Sequence, residues 1–139
     1  MSQENHDQLC ARFGYQIATD LYALIPRATE NHITKSLGVL QENGVYAFAL
    51  YQASRGNERG GAEKLARLAS YLLSEAHLKP FDGNSTISLL EGLRGDQQKR
   101  VTGLADNLDS LLLAKRLLEQ ALIYARYHTK ALANGEENK

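Results

Sequence analysis

The chain has 139 residues, of which 43% are hydrophobic and 23% are charged, and this is typical of one globular domain with its own core. Its 16 basic side chains balance 16 acidic ones, which argues against a protein that coats nucleic acid by bulk charge but leaves room for a local basic patch. The single cysteine, Cys10, excludes an intramolecular disulfide and favours a reducing compartment.

The N-terminal segment and the lengths of the apolar runs indicate where the protein works. Residues 1–8 are polar and lack the apolar stretch of a signal peptide. No apolar run approaches the roughly 20 residues that span a bilayer. We therefore expect a cytoplasmic protein that does not bind a membrane.

The spacing of apolar residues predicts a first helix over residues 5–24. Apolar side chains recur there every three or four positions, at Leu9, Cys10, Phe13, Ile17, Leu21 and Leu24. Pro26 ends the helix, because the residue before a proline is pushed out of the α region.

A second helical stretch is predicted from about Thr29 to Ser54, with a break near Gly38. Residues 45–51 are apolar on nearly every side of a helix. A helix of that kind usually lies in the middle of a bundle, and we expect the same position here.

A charged, glycine-rich loop is predicted over residues 55–61. It follows a helix and is not followed by Lys-Ser/Thr, so it lacks the pattern of a phosphate-binding P-loop. The third helix is predicted over residues 62–77, with Leu65, Leu68 and Leu72 on its buried face.

The next part of the chain is typical of loops and short elements. Residues 79–84 have the composition of a loop. Ser85 or Thr86 can cap a short helix that ends near residue 93, and Asp96 is expected to cap the helix after it.

The last helix is predicted over residues 104–132, whose apolar positions share one side: Leu104, Leu111, Leu118, Ala121, Leu122, Ala125 and Leu132. The polar tail, residues 133–139, is expected to fray. These elements predict an all-α fold, a compact bundle of about five or six helices in a single domain over residues 1–139.

No pattern for catalysis or metal binding is found in the sequence. The histidines are scattered, at His6, His32, His77 and His128, without the paired carboxylate–histidine spacing of a di-iron bundle. Cys10 has no cysteine partner for zinc and falls on the apolar stripe, where we expect it to pack. We predict no catalytic residue, no metal and no cofactor.

Basic residues collect on two predicted helices. On a helical wheel with Lys115 at zero, Arg126, Lys130 and Arg116 fall at about 20°, 60° and 100°, beside Tyr127. On the third helix, Lys64, Arg67 and Tyr71 lie opposite its leucines. Lysine and arginine displace counterions from a phosphate backbone, and a tyrosine can stack on a base. The alternative interpretation of the basic residues on the last helix is a solvated face, in which Lys115 and Glu119 form an ordinary i,i+4 pair.

Two segments of the chain resemble a known family. Residues 37–41 and 45–50 resemble a Gly-Leu, then Leu-Ala-Phe helix of that family. Residues 121–132 resemble its closing helix, where an Ala-Leu pair leads to an aromatic residue, basic residues and another Ala-Leu pair. Arg12 and Tyr15 resemble an N-terminal arginine and aromatic residue. The family is the small helical subunit of type III-B CRISPR effector (Cmr) complexes, with the type III-A small subunit as a more distant relative.

This resemblance implies a helical bundle that does no cleavage. It implies that copies of the protein stack into the inner filament of a crRNA-guided complex, next to the other effector subunits, and line the groove that holds guide and target RNA. Arg126 and Lys130 match basic residues of the family's closing helix. The helical wheel adds four more RNA-binding candidates: Lys64, Arg67, Lys115 and Arg116.

The alternative is a stand-alone helical module for protein–protein interaction, such as an adaptor or an antitoxin-like protein. It would use an apolar face around Tyr46, Tyr51 or Tyr124 and would not bind RNA.

Overall fold

Five helices make up most of the part of the chain that the structure, a computed structural model, describes. Residues 5–55, 60–78, 95–96, 101–102 and 108–137 are described. The helices are α1 (His6–Leu24), α2 (Thr29–Asn43), α3 (Val45–Ser54), α4 (Gly61–Glu75) and α5 (Leu108–Glu137). They form a compact bundle in a single domain, which confirms the predicted all-α fold class.

Helix α1 begins and ends at positions that the sequence specifies. The Asn5 side chain accepts a hydrogen bond from the Gln8 backbone N–H (2.8 Å), and the Gln8 side chain accepts one from the Asn5 N–H (3.2 Å). This capping box satisfies two backbone donors at the start of the helix. Pro26 lies just beyond the last turn, and the predicted bounds of α1 are confirmed.

The predicted break near Gly38 is wrong, because α2 runs through Gly38 to Asn43. The chain turns at Gly44 instead, where φ is +93°, a conformation that L side chains rarely adopt. A glycine inside a helix costs only about 1 kcal/mol relative to alanine, and the buried face of α2 outweighs that cost. Helix α3 starts directly after the turn and folds back along α2.

Helix α3 lies at the side of the bundle rather than in its middle. Phe48 and Ala49 are fully buried, whereas Leu50 keeps 47% of its surface in water. Helix α3 is therefore less buried than its apolar composition predicted. Its inner side also contains a polar contact: the Gln52 Oε1 accepts a hydrogen bond from Nε2 of the buried His32 ring (2.8 Å), and the Gln52 amide N–H donates to the buried Ser36 hydroxyl (2.9 Å).

Two short strands are found where the sequence predicted a helix beginning at Asp96. Gly95–Asp96 pairs antiparallel with Val101–Thr102, and Asp96 is opposite Val101. The prediction that Asp96 caps a helix is wrong, since a two-residue ladder is too short to leave a periodic pattern in the sequence. The predicted loop at 79–84, the short helix that follows it and residues 56–59 of the charged loop lie outside the described residues.

Helix α5 is the longest element and packs between α1 and α2. It runs parallel to α1, because Cys10 contacts Leu117 and the Tyr15 ring contacts His128 further along both helices. It extends to Glu137, beyond the end predicted at residue 132 and into the tail for which we predicted fraying.

The core receives large side chains from all five helices. Those that are completely buried are Ile17, Leu21, Ile33, Leu40, Phe48, Leu65, Leu72, Leu73, Leu118 and Leu122. Burial of each removes apolar surface from water and stabilises the fold by about 1.5–3 kcal/mol.

Helices α1 and α5 approach each other closely at Gly14 of α1. A Cβ atom at this position would be 2.6 Å from the Tyr124 Cβ and 2.9 Å from the Ala121 carbonyl oxygen of α5. Backbone and Cβ atoms cannot move aside as the end of a flexible side chain can. Glycine is therefore required for α1 and α5 to pack at this distance.

We expect Gly14→Ala to lower the free energy of unfolding by about 1–3 kcal/mol, the usual cost of inserting a methyl group into a packed interior. Gly38→Ala is the matched control, because no atom lies within 4 Å of its added Cβ. The control should raise the free energy of unfolding by up to about 1 kcal/mol. Urea denaturation measures both, and equal effects of the two substitutions would contradict the proposed role of Gly14.

Candidate nucleic-acid interface

The six predicted RNA-binding residues lie at three different places in the bundle. Lys115 and Lys130 lie beside α2, with Arg126 between them along α5. Arg116 lies near the start of α1, and Lys64 and Arg67 lie between α4 and α1. The structure does not join them into one basic face.

Lys115 and Lys130 both contact the neighbouring helix α2. The Lys115 ammonium donates to the Gln41 carbonyl oxygen (3.3 Å) in the last turn of α2, and lies 3.9 Å from Glu119. Lys130 lies 3.8 Å from the carboxylate of Glu30 in the first turn of the same helix. A cation next to C-terminal carbonyls is favoured by the helix dipole. These two lysines therefore lie beside opposite ends of α2.

Arg126 lies on the same side of α5 and is half-buried. Its Nε is shielded from water and has no hydrogen-bond partner in the part of the chain that the structure describes.

Arg116 borders a small cavity of about 210 Å³ between the first turns of α1 and helix α5. The polar side chains around this cavity include His6, Asp7 and Gln120. The Asp7 carboxylate opposes an incoming anion there.

A groove between α1 and α4 brings together cations from both helices. It has a volume of about 310 Å³, and three of the side chains that line it are basic: Arg12, Lys64 and Arg67. Two carboxylates, Asp20 and Glu75, also face it. The positive charge thus exceeds the negative charge inside the groove, although the whole chain is neutral.

Arg12 is held in place on both sides. Its guanidinium forms an ion pair with Glu75 of α4 and lies over the Phe13 ring, 4.9 Å from the centroid. On the opposite wall, Arg67 has a buried Nε without a hydrogen-bond partner among the described residues. A buried donor that stays unsatisfied costs about 1–3 kcal/mol, so an oxygen acceptor that reached it would be favoured.

Tyr71 supplies an aromatic surface beside these cations. It lies one turn after Arg67 on α4 and keeps 41% of its surface exposed. The groove therefore combines basic side chains with a ring on which a base can stack.

Sequence analysis missed Arg12 as a member of this group. The wheel of α1 already places it away from the buried stripe, next to Tyr15 and Gln16. What the sequence could not provide is the pairing of α1 with α4, which brings Arg12 to Lys64 and Arg67.

The three tyrosines proposed for protein docking do not form an exposed face. Tyr46 packs against the core, Tyr51 stacks on His32 (5.9 Å between ring centroids), and the Tyr124 hydroxyl donates to Asp7 (2.6 Å). This hydrogen bond raises the pKa of Tyr124 above its ordinary value. Large exposed apolar side chains lie elsewhere, and three of the seven among the described residues are on α5.

Cys10 packs in the core, as predicted. Only 1% of its surface is exposed, and its thiol donates to the Leu117 carbonyl oxygen (3.4 Å). Burial, with a smaller contribution from Asp7, raises the pKa of Cys10 to about 11. The reactive thiolate is therefore scarce at neutral pH.

Comparison with known proteins gives no relative to guide the assignment. No family model, no curated protein and no solved structure matches the chain.

Within the described residues, no group of three or more His, Cys, Asp or Glu side chains could hold a metal ion. None of the helices in this part of the chain has both the length and the apolar character needed to cross a bilayer.

We expect a thiol reagent to modify Cys10 only after unfolding. The native thiol keeps its proton to a pH of about 11, whereas an exposed thiol loses it near 9.0. Between these values the unfolded chain binds fewer protons, so the free energy of unfolding should fall as pH rises through this window.

Cys10→Ala removes this contribution and should make the alkaline fall shallower; urea denaturation from pH 8 to 11 measures it. Identical dependence of the free energy of unfolding on pH in the wild type and in Cys10→Ala, or rapid labelling of the native thiol, would contradict the raised pKa of Cys10.

Proposed function

We propose that this protein is a non-catalytic small subunit of a crRNA-guided type III CRISPR effector complex of the Cmr kind, and that it holds the backbone of guide or target RNA in the groove between α1 and α4. The observation that supports this most is the convergence of Arg12, Lys64 and Arg67 from two helices on one groove. The proposal includes a cytoplasmic location and other effector subunits as partners.

The chemistry of the groove suits a phosphate backbone better than base edges. Guanidinium and ammonium groups bind phosphate oxygens through charge-assisted hydrogen bonds. Tyr71 can stack on any base, because every base has a π face. Such a site retains RNA without reading its sequence.

The Arg12–Glu75 pair fits this function. A phosphate would compete with the Glu75 carboxylate for a guanidinium that is already positioned. Because both side chains are nearly half exposed, their ion pair is worth little in water and opposes the exchange only weakly.

The resemblance of residues 37–41, 45–50 and 121–132 to the small subunit directs the proposal to this class of complex. A neutral chain with a local basic groove also suits a subunit that must touch both RNA and protein, since uniform positive charge would oppose packing of copies.

A second candidate is a stand-alone protein-interaction module. The observation that favours it is the set of exposed apolar side chains along α5: Leu108, Leu112 and Tyr127. This function does not need the basic groove.

The double substitution Lys64→Glu with Arg67→Glu should weaken RNA retention by the assembled complex by at least about tenfold, because it replaces two phosphate-binding cations with anions. It should also flatten the salt dependence of binding, by about 0.7 in slope for each lost contact to single-stranded RNA. Filter binding over a range of salt concentrations measures both.

The matched control is Arg27→Glu with Lys35→Glu, which makes the same change of charge at exposed positions outside the groove. It should retain RNA like the wild type. Equal losses in both variants would mean that only bulk charge matters, and equal retention would remove the groove from the proposal.

Purification of the tagged protein from its native host, with protein and RNA both sequenced, tests the class of complex. Recovery of large CRISPR effector subunits with guide RNA supports the first candidate. Recovery of an unrelated protein without RNA rejects it and supports the second.

A further inference from the structure

Helix α5 presents a long side to solvent, opposite the residues that it buries. Its inner positions, Ala114, Leu117, Leu118, Ala121, Leu122 and Ala125, are buried against the other helices. The outer face of α5 is formed by Leu108, Asp109, Leu112, Arg116, Ile123, Tyr127 and Lys130, which lie within about 100° of one another on the helical wheel. Glu119 and Arg126 lie on the same arc but are partly buried. Within the described part of the chain, Lys130 of this face lies 3.8 Å from Glu30 of α2 and Ile123 packs partly against the core, whereas the other side chains of the face are exposed.

The outer face of α5 is more apolar than a solvated helix side requires. Leu108 is 68% exposed, Leu112 is 55% exposed and Tyr127 is 67% exposed. They are three of the seven large apolar side chains that the described residues leave exposed. Single exposed leucines are ordinary on protein surfaces, whereas several along one helix face indicate a docking surface.

The order of side chains along this face makes two copies of it complementary when the two helices run antiparallel. If a twofold axis passes between Glu119 and Gln120, the two helices run antiparallel. Each residue then faces the partner's residue that lies equally far from the axis on its other side. Leu112 then faces the partner's Tyr127, and Arg116 faces the partner's Ile123. Asp109 faces the partner's Lys130, so that opposite charges meet at both ends.

A parallel pair of the same faces would be unfavourable. Asp109 would face the partner's Asp109, and Lys130 would face the partner's Lys130. Like charges that lie opposite each other oppose association. The charge pattern therefore selects the antiparallel arrangement.

Arg116 fits the same arrangement. Its aliphatic stem can cover the partner's Ile123, and its guanidinium can reach the partner's Tyr127 ring, one turn further on. Lys130 is available at the end of the pair, because its contact with Glu30 is long, at 3.8 Å, and both side chains are almost half exposed.

We propose that the outer face of α5 binds a second copy of this chain in an antiparallel, twofold-symmetric helix pair. Such an interface uses the same patch on both copies and therefore forms a closed dimer. The proposal does not depend on RNA binding.

Sedimentation of the purified full chain tests the pair, and it should show a dimer that dissociates on dilution. Leu112→Glu places a carboxylate against the partner's Tyr127 at two places in the interface and should weaken dimerisation by at least about tenfold. Leu50→Glu is the matched control, because Leu50 is exposed to a similar extent (47%) on α3. It should leave the dimer intact. A chain that stays monomeric up to about 1 mM, or a dimer that Leu112→Glu does not weaken, overturns the proposal.

Charge exchange tests the antiparallel order. Asp109→Lys and Lys130→Asp should each weaken the dimer, because like charges then meet across the pair. The double variant restores opposite charges and should recover most of the dimer affinity. Failure of the double variant to recover affinity, with its circular dichroism spectrum unchanged, rejects the antiparallel pair.

Discussion

The packing of α1 against α5 at Gly14 is the constraint on which the rest of the bundle depends. Because Gly14 has no Cβ, the backbone of α1 can lie directly on the Ala121 turn of α5. The close approach fixes the register of the two helices, with Cys10 at Leu117 and Tyr15 at His128. It also fixes the rotation of α5 about its own axis, since only one side of α5 can face Gly14. The positions that remain outside are a consequence of that rotation.

The rotation of α5 decides what each of its cations can do. Lys115 and Lys130 come to lie beside the two ends of α2, where one meets a C-terminal carbonyl and the other a carboxylate of the first turn. Arg116 remains on the outer face. Helix α4 packs on another side of α1. Its first residue, Gly61, lies so close to Ile25 that an added Cβ would be 2.6 Å from the Ile25 Cδ1. The groove with Lys64 and Arg67 lies between these two helices.

Sequence alone predicted those features that depend on neighbouring residues along the chain. The apolar stripe and Pro26 located α1, and burial of Cys10 followed from its place on that stripe. Gly38 and Gly44 show the limit: both are glycines in the same stretch, but only Gly44 needs a positive φ, and that depends on how α3 folds back on α2. The helical wheel likewise gave the angle of each lysine on α5 but not the identity of the neighbouring helix. Arg12 was missed for the same reason, since its role depends on α4.

The groove and the outer face of α5 make different demands on assembly. A twofold pair through α5 uses the same face of both copies, so it closes and cannot extend into a filament. A filament of the kind that the family resemblance implies requires two different surfaces that repeat from copy to copy. If both proposals hold, the filament contacts must therefore lie on surfaces other than the outer face of α5. The antiparallel pair would then be a form of the free protein, and entry into the complex would have to replace it or build on it.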